Sequence, residues 1–489
     1  MTILTENTEL STQYLTSKII HIIKTAKDSI EAERKLFSFG ITLLNTLVQG
    51  ALDVIDKELY RNEYKNKGYR ISHRDKRTIY CLWGDLTYNR RLLKAEGKKS
   101  LYPLDHKMGF EPGKHYSLAV IENIVKVMAT TTSRNTAKIL EDLTHISVSH
   151  QTVVTLKNYA GQKAKAYEKA KAEETATVKE NVSGGILAIE GDGIVLKGKD
   201  GGNKEELHRI QIYTGTKKNG KRTTLEGRYC FSGMNRKELM MRVKKYLDNH
   251  YNLRELLILS NGDGGAGYQA NDFEQMTEGC KAHIHFRDRF HVNKKIRTRL
   301  SFCNKNLVEQ IIRECNTLKD ITPYIDAWMD TAASQAQSEK EENETEKLRA
   351  YLKRNAAYLP TIQQRGIETT IHLGTAETNH RSYSYRLKRQ GRVWSHTGLE
   401  NMAAVLTAQK NDELKEALLY KANGKNYKKK DRSLNTATRE AKKTIEEKRL
   451  YRAQKRKQQK YRPGCLEGRI GCYGASTSPM ARLAHAIQY

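Results

Sequence analysis

Apolar residues from Leu10 to about Tyr60 recur at three and four positions, as in Ile19, Ile20 and Ile23 and later in Phe37, Leu43, Leu44 and Leu47. That is the spacing of amphipathic helices. The pattern changes between about Tyr69 and Tyr102, where TIYCLWGDLTYNRRLLK holds two short β-prone runs around Gly84-Asp85. It predicts a hairpin with a basic return strand, which is either a solvated edge or a DNA contact. In TTTSRNTAKILEDLTHISVSHQTVVTLKNYAG, residues 130–161, one helix is capped near Ser133 and runs to Leu143. A second is capped at Ser147 or Ser149. The pair reads as a helix-turn-helix or as a plain helical hairpin. In the first case the start of the second helix enters the major groove, and Ser149, His150, Gln151, Thr152 and Thr155 meet base edges or phosphates.

From Ser183 the order of elements becomes specific. GGILAIEGDGIVLKG is a strand, and HRIQIYTGTKKNGKRTTLEGRYCFSG is two strands around Asn219-Gly220, a strong hairpin signal. NRKELMMRVKKYLDNHY is a helix, LRELLILSNGDGG a buried strand, YQANDFEQMTE a helix, KAHIHF a strand and RDRFHVNKKIRTRL a helix. The sum, β-β-β-α-β-α-β-α, predicts an α/β mixed fold with a ribonuclease H-like core. Residues from about Arg297 to Ile367 read as a helical insertion containing the acidic stretch QSEKEENETEKLRA, after which a helix beginning near Thr375 returns to the core.

The expected organisation is therefore an N-terminal helical segment (1–68), a basic hairpin region (69–115), a helix-turn-helix region (116–162) and a helical linker (163–182). A catalytic domain (183–296 and 368–418) follows, interrupted by the insertion (297–367) and succeeded by a basic tail (419–489).

Charge narrows the class of partner. The chain of 489 residues has 86 Lys and Arg against 56 Asp and Glu, a net +30, which repels itself unless a polyanion sits beside it. Residues 421–462 alone hold 17 basic side chains against four acids, the composition of an arm that grips phosphates without reading sequence. Double-stranded DNA is the expected partner. No run approaches the roughly 18 apolar residues of a membrane span, and the first twenty residues lack the form of a secretory signal, so a cytoplasmic, nucleoid-associated protein is expected. Seven cysteines without a CxxC pair argue against a disulfide scaffold or a zinc ribbon.

The candidate chemistry rests on carboxylates. Asp192 lies in the first strand, in IEGDG, and Asp263 at the end of the fourth, in LSNGDGG. Neighbouring strands would bring the two acids to one end of the sheet, with the flanking glycines leaving backbone room for a bulky ligand. Two adjacent carboxylates repel unless a cation lies between them, and Mg2+ prefers such hard oxygen ligands. A pair of ions about 3.5 to 4 Å apart serves phosphoryl transfer. A third acid would be Glu377, at the head of a helix whose later turns carry Arg381, Arg386, Lys388 and Arg389 for the DNA backbone, or else Glu400. Glu190 shares a strand face with Asp192 and competes with it.

In SRNTAKILEDLTHISVSHQTV, GDG, SNGDGGAGY, DRFHVNK and ETNHRSYSYRLKRQGRVWSHTGLENMA, across most of residues 70–405, the chain resembles the DDE transposases of bacterial insertion sequences. The likeness is to the ISLre type, which is also catalogued as an uncharacterised protein family. The resemblance implies a ribonuclease H-like domain and two divalent ions, Mg2+ with Mn2+ able to substitute. It implies hydrolysis at the element's ends, then attack of the freed 3′ hydroxyl on target DNA by at least a dimer. Asp192, Asp263 and Glu377 would be the catalytic and metal-binding acids, and Asp288 with His291 a supporting Asp-x-x-His pair. The alternatives are a catalytically inactive DNA-binding regulator and a nuclease without strand transfer. AHIHFRDRFHVNKK also offers His283, His285, Asp288 and His291 as zinc ligands, but strand and helix geometry disperses them.

Overall fold

The computed structural model describes residues 2–421 except 145, 200–203, 221, 266 and 390–391; the side chains of 2–11, 219, 222 and 377 also lie outside the description. The chain divides into one unit to Tyr420 and a second from Lys421, so the basic tail, with Cys465 and Cys472, falls almost wholly outside the described residues.

Two helices open the chain, α1 (Thr2–Thr25) and α2 (Ser29–Glu58), the latter started by the Asp28 carboxylate accepting from the Glu31 amide. Contrary to the sequence expectation, the helical stretch Ser29–Lys67 is long and apolar enough to cross a membrane by length and composition, with a window of mean hydropathy 1.3 of which 6% is buried. Threonine, glycine and asparagine break up any uninterrupted apolar run there, yet the average stays high. Ile30, Phe37 and Leu44 are exposed at heptad spacing, as are Leu47 and Val54.

The hairpin pairs β1 (Arg70–Cys81) with β2 (Gly84–Lys94), and its turn is Leu82-Trp83 rather than Gly84-Asp85. Arg70 and Arg74 at the start of β1 are exposed, but the arginines farther along the hairpin and on the return strand turn inward. Arg91 is buried against Asp56 of α2, and Arg77 and Arg90 both reach Asp105 of α3 (Pro103–Met108). Buried ion pairs of this kind fix register more than they add stability.

Helices α4 (Leu118–Met128), α5 (Ser133–Leu143) and α6 (His150–Glu173) follow. Caps form where the sequence predicts them, with Thr132 and Ser149 accepting from the Asn135 and Thr152 amides. The expected boundary between recognition region and linker at 162/163 falls inside α6. The helix continues because its small residues Ala160, Gly161 and Ala164 are buried, in one core with α4 and with a late helix, α14, described below.

The five-stranded sheet begins with β3 (Ile186–Lys197) and β4 (Lys204–Tyr213). The predicted two-stranded hairpin is divided: β5 (Gly215–Asn219) and β6 (Arg222–Glu226) pair as a separate ribbon, and β7 (Tyr229–Gly233) returns to the sheet. The break falls at Gly227, whose φ of +56° suits glycine. Next come α7 (Arg236–His250), β8 (Leu257–Gly262), α8 (Ala270–Met276), β9 (Ala282–Arg287) and α9 (Arg289–Arg299). Sheet order is β7-β4-β3-β8-β9, with β4 antiparallel to β3 and β7, and with β8 parallel to β3 and β9. The architecture is mixed α/β, with β3 central and buried on both faces.

The expected insertion is all-helical: α10 (Lys305–Thr317), α11 (Ile325–Ala333) and α12 (Glu339–Asn355) share a core with α9 through Ile296, Ile311, Met329, Leu348 and Leu352. The acidic stretch forms the exposed first turns of α12, where Glu339, Glu341 and Glu342 favour the helix N-terminus. The chain then returns through α13 (Ala376–Leu387), α14 (His396–Lys410) and α15 (Leu414–Leu419).

Helices α6 and α14 touch backbone to backbone. A Cβ placed on Gly161 would lie 2.4 Å from the Asn401 carbonyl oxygen and 2.6 Å from its Cα. Gly161→Ala should therefore cost about 1–3 kcal/mol of stability in urea unfolding. Nearby, the buried Lys157 donates to the Gly398 carbonyl (2.9 Å), and burial pushes its ammonium from 10.5 down to about 8. Between those values the unfolded chain binds more protons than the folded one, so this group makes stability rise with pH. Lys157→Met should remove that rise from the thermal midpoint measured across the same window.

Candidate active site

The sheet brings the two aspartates to neighbouring strands, Asp192 within β3 where its pairing with β8 stops and Asp263 just past the end of β8. Gly191 of β3 is paired in register with Gly262 of β8, so Asp192 and Asp263 each follow a paired position on strands about 4.8 Å apart. Burial raises the phenol of Tyr268, and the negative charges of both Asp192 and Asp263 raise it further. Asp192 is buried, accepts from the Gly193 amide at 2.7 Å and lies 3.4 Å from Nδ1 of His380 on α13. Asp263 is half-buried beside an open cleft and accepts from the Gly265 amide at 2.8 Å.

The flanking glycines do not leave room for a ligand as expected. A Cβ on Gly191 would meet the Tyr268 ring at 2.7 Å, and one on Gly262 would meet the Tyr268 carbonyl oxygen at 2.6 Å. Gly193 accommodates the Glu206 carboxylate, and Gly264, at φ +77°, the Arg287 guanidinium. Protein side chains fill the gaps, and a sequence cannot show which ones.

Glu190 and Asp192 share a face but not an environment. Glu190 is 1% exposed and accepts from Gln211 Nε2 (2.8 Å), Asn261 Nδ2 (3.2 Å), the Thr375 amide (3.1 Å), the Thr375 hydroxyl and the Gly374 amide. Burial raises its pKa while these hydrogen bonds oppose the shift. Its oxygens are thus occupied by protein donors.

That anchoring delivers α13. Thr375 precedes the helix, Glu377 sits in its first turn with a side chain outside the described residues, and His380 follows three positions later against Asp192. Burial, helped by the positive charges of Arg209 and Lys410, pushes His380 down to about 2, so its imidazole is neutral. Sequence reasoning missed His380 and Arg209. The second is aligned with Asp192 across the β3–β4 pair and stacks 3.9 Å over the Tyr383 ring. The strand register, which only the fold supplies, would have found it.

Asp288 caps α9 by accepting from the His291 amide (3.2 Å), and its other oxygen accepts from Asn261 (3.3 Å). Asn261 therefore links Asp288 to Glu190. His291 is carried to the cleft beside Asp263. Glu400 is placed elsewhere, paired with Lys165 of α6 at 2.6 Å. His283 and His285 both meet the Ser260 hydroxyl, at 2.7 and 2.8 Å, and burial pushes His285 down to about 3. His285 is buried and His283 half-buried, each engaged by Ser260.

Among the nucleic-acid candidates, Ser149, His150, Gln151 and Thr155 are exposed at the start of α6 and Thr152 is half-buried. Arg381 is exposed on α13, and Lys388 and Arg389 just past its end. Arg386 requires correction: it is 3% exposed, donates to the Met128 carbonyl at 2.6 Å, stacks near Trp394 and is pushed down to about 9 by burial. It ties α13 to α4 because five residues along the helix turn it away from Arg381, while Arg389 lies beyond the helix end.

Two carboxylates brought to neighbouring strands, each holding one backbone amide, suit a hard divalent cation. Among the described side chains no group of three His, Cys, Asp or Glu is assembled to hold a metal.

The roles of Glu190 and Asp192 separate by stability. Glu190→Gln turns an amide N–H2 toward donors and should cost about 2–3 kcal/mol in urea unfolding. Asp192→Asn, without divalent ion, should leave stability within about 1 kcal/mol, because an amide oxygen can still accept from the Gly193 amide.

A profile of the Uncharacterised protein family (UPF0236) matches residues 30–422. The UPF0236 protein in the vanSb 3′ region of Streptococcus gallolyticus is 30% identical over 402 residues, covering 81% of this chain and 86% of that protein.

Proposed function

Because the chain belongs to the UPF0236 family, whose match spans both aspartates, we propose that it is a DDE transposase of the ISLre type. On this reading it binds the terminal inverted repeats of an insertion sequence, then cuts and joins DNA. The observation that carries the proposal is the register that sets Asp192 beside Asp263, with α13 packed next to Asp192. An antiparallel meander that continues into parallel α-β repeats supports a ribonuclease H-like core.

Asp192 and Asp263, with Glu377 from the head of α13, would hold two Mg2+ ions, for which Mn2+ could substitute. Bound there, the ions would supply Lewis acidity to a phosphodiester and a more acidic water. The chain's own residues orient the site. Glu190 fixes the approach of α13, and Asp288 fixes the first turn of α9, so that His291 lies at the cleft. Neutral His380 can exchange a hydrogen bond with Asp192 without competing as a cation.

The exposed start of α6 would enter a DNA groove as the second helix of a helix-turn-helix. Arg381 and Arg389, beside a cleft that Lys410 also lines, would hold phosphates. Two element ends must be joined, so the working form is at least a dimer on DNA, at the nucleoid.

Purified protein with Mg2+ and a duplex carrying the element's inverted repeats should nick those ends. Asp192→Asn and Asp263→Asn should each lower the rate more than about a hundredfold while retaining DNA affinity. Undiminished cleavage by either variant overturns the proposal. Binding without any metal-dependent nicking would leave a non-catalytic DNA-binding protein, and nicking without joining a nuclease.

A further inference from the structure

Beside Asp263 the insertion and the core enclose a cleft of about 470 Å³ between the loop after β8, helix α9 and helix α12. Its polar lining carries both signs: Lys294, Lys295 and Arg299 stand with Asp263 and Glu344, and Glu344 is already paired with Arg299 at 3.3 Å. Arg287, at the end of β9, is 7% exposed, and its Nε and Nη1 have no hydrogen-bond partner among the described residues. The guanidinium does not itself line the cleft: it lies behind Gly264, which does, where a Cβ would come within 2.1 Å of Nη1, and it stands 5.6 Å from the Tyr358 ring centre. Tyr351 of α12 is 6% exposed and its buried hydroxyl has no described partner either. Lys295 of α9 reaches over the Tyr351 ring, 4.1 Å from its centre, and no carboxylate pairs with it among the described residues.

Within the cleft the Lys295 ammonium can only donate, and the Tyr351 hydroxyl is without a described partner. A partner that offers acceptor oxygens and negative charge would satisfy both.

We propose that this cleft is a phosphate-binding pocket, in which Lys295 and Tyr351 hold a backbone phosphodiester of a nucleic-acid strand next to Asp263, with Arg287 adding positive charge from behind Gly264. The proposal takes from the functional reading only that the polymer is nucleic acid. The space exceeds that of a free phosphate and is open along α9, where exposed Lys294 stands on the rim. A strand can thus continue past the pocket. The insertion gains a role: α12 supplies the Tyr351 wall, so the helical unit closes the pocket that the sheet begins.

The test uses full-length protein and a fluorescent duplex, with affinity read by anisotropy across a salt series in calcium buffer. Lys295→Gln should weaken binding about three- to tenfold and reduce the slope of log affinity against log salt by about one. Tyr351→Phe should weaken it about threefold with the slope unchanged, since it removes a neutral donor. Thermal midpoints check that both variants are folded, and Tyr351→Phe serves if Lys295→Gln is not.

Unchanged affinity and slope in the folded variants overturn the pocket. So does a result in which inorganic phosphate, at matched ionic strength, raises the wild-type midpoint through Lys295 while DNA affinity ignores it. The two proposals fail separately. Wild-type protein that binds through Lys295 but never nicks DNA keeps the pocket and loses the transposase. Protein that nicks DNA while both variants bind like wild type does the reverse.

Discussion

One buried carboxylate organises the centre of the sheet. Glu190, in the central strand, accepts hydrogen bonds from the adjacent strands through Gln211 and Asn261 and from a segment far along the chain through Gly374 and Thr375. Removing a buried carboxylate from water is expensive, and only a full set of donors offsets the cost. The donors are therefore as constrained as the acid. Because two of them immediately precede α13, the same contacts set that helix against β3 and bring His380 to Asp192.

The neighbouring acids have other surroundings. Asp192 is buried within β3, one residue past its last pairing with β8, and Asp263 follows the end of β8; the Gly193 and Gly265 amides are among their donors. Tyr268, Phe273 and Arg287 pack into the spaces that the surrounding glycines leave, so the strands approach closely. Glu190 thus ties the strands to α13, while Asp263 stands beside an open cleft.

Several of the chain's basic side chains face inward. Arg77 and Arg91 pair with buried aspartates, Arg386 joins α13 to α4, and Arg209 stacks beneath the aspartate site. A net charge of +30 consequently overstates the basic surface available to a polyanion. The charges with open surroundings gather on α9 and α13, at either side of the two aspartates. The insertion completes this arrangement, since its own helical core holds Tyr351 over the α9 lysines.

The order of strands and helices from Ile186 to Arg299 was legible in the sequence because apolar spacing, caps and the Asn219-Gly220 turn are local signals. So were the candidate aspartates, which stand beside glycine. What local signals could not decide were partners distant in the chain. These include the division of one hairpin into sheet and ribbon at Gly227, the continuity of α6 through Gly161 against α14, and the inward turn of Arg386. Glu190 and Asp192 were indistinguishable by periodicity, since alternate strand residues share a face. Only the tertiary fold told them apart, by bringing Gly374 and Thr375 across the chain to bind one carboxylate and His380 to meet the other.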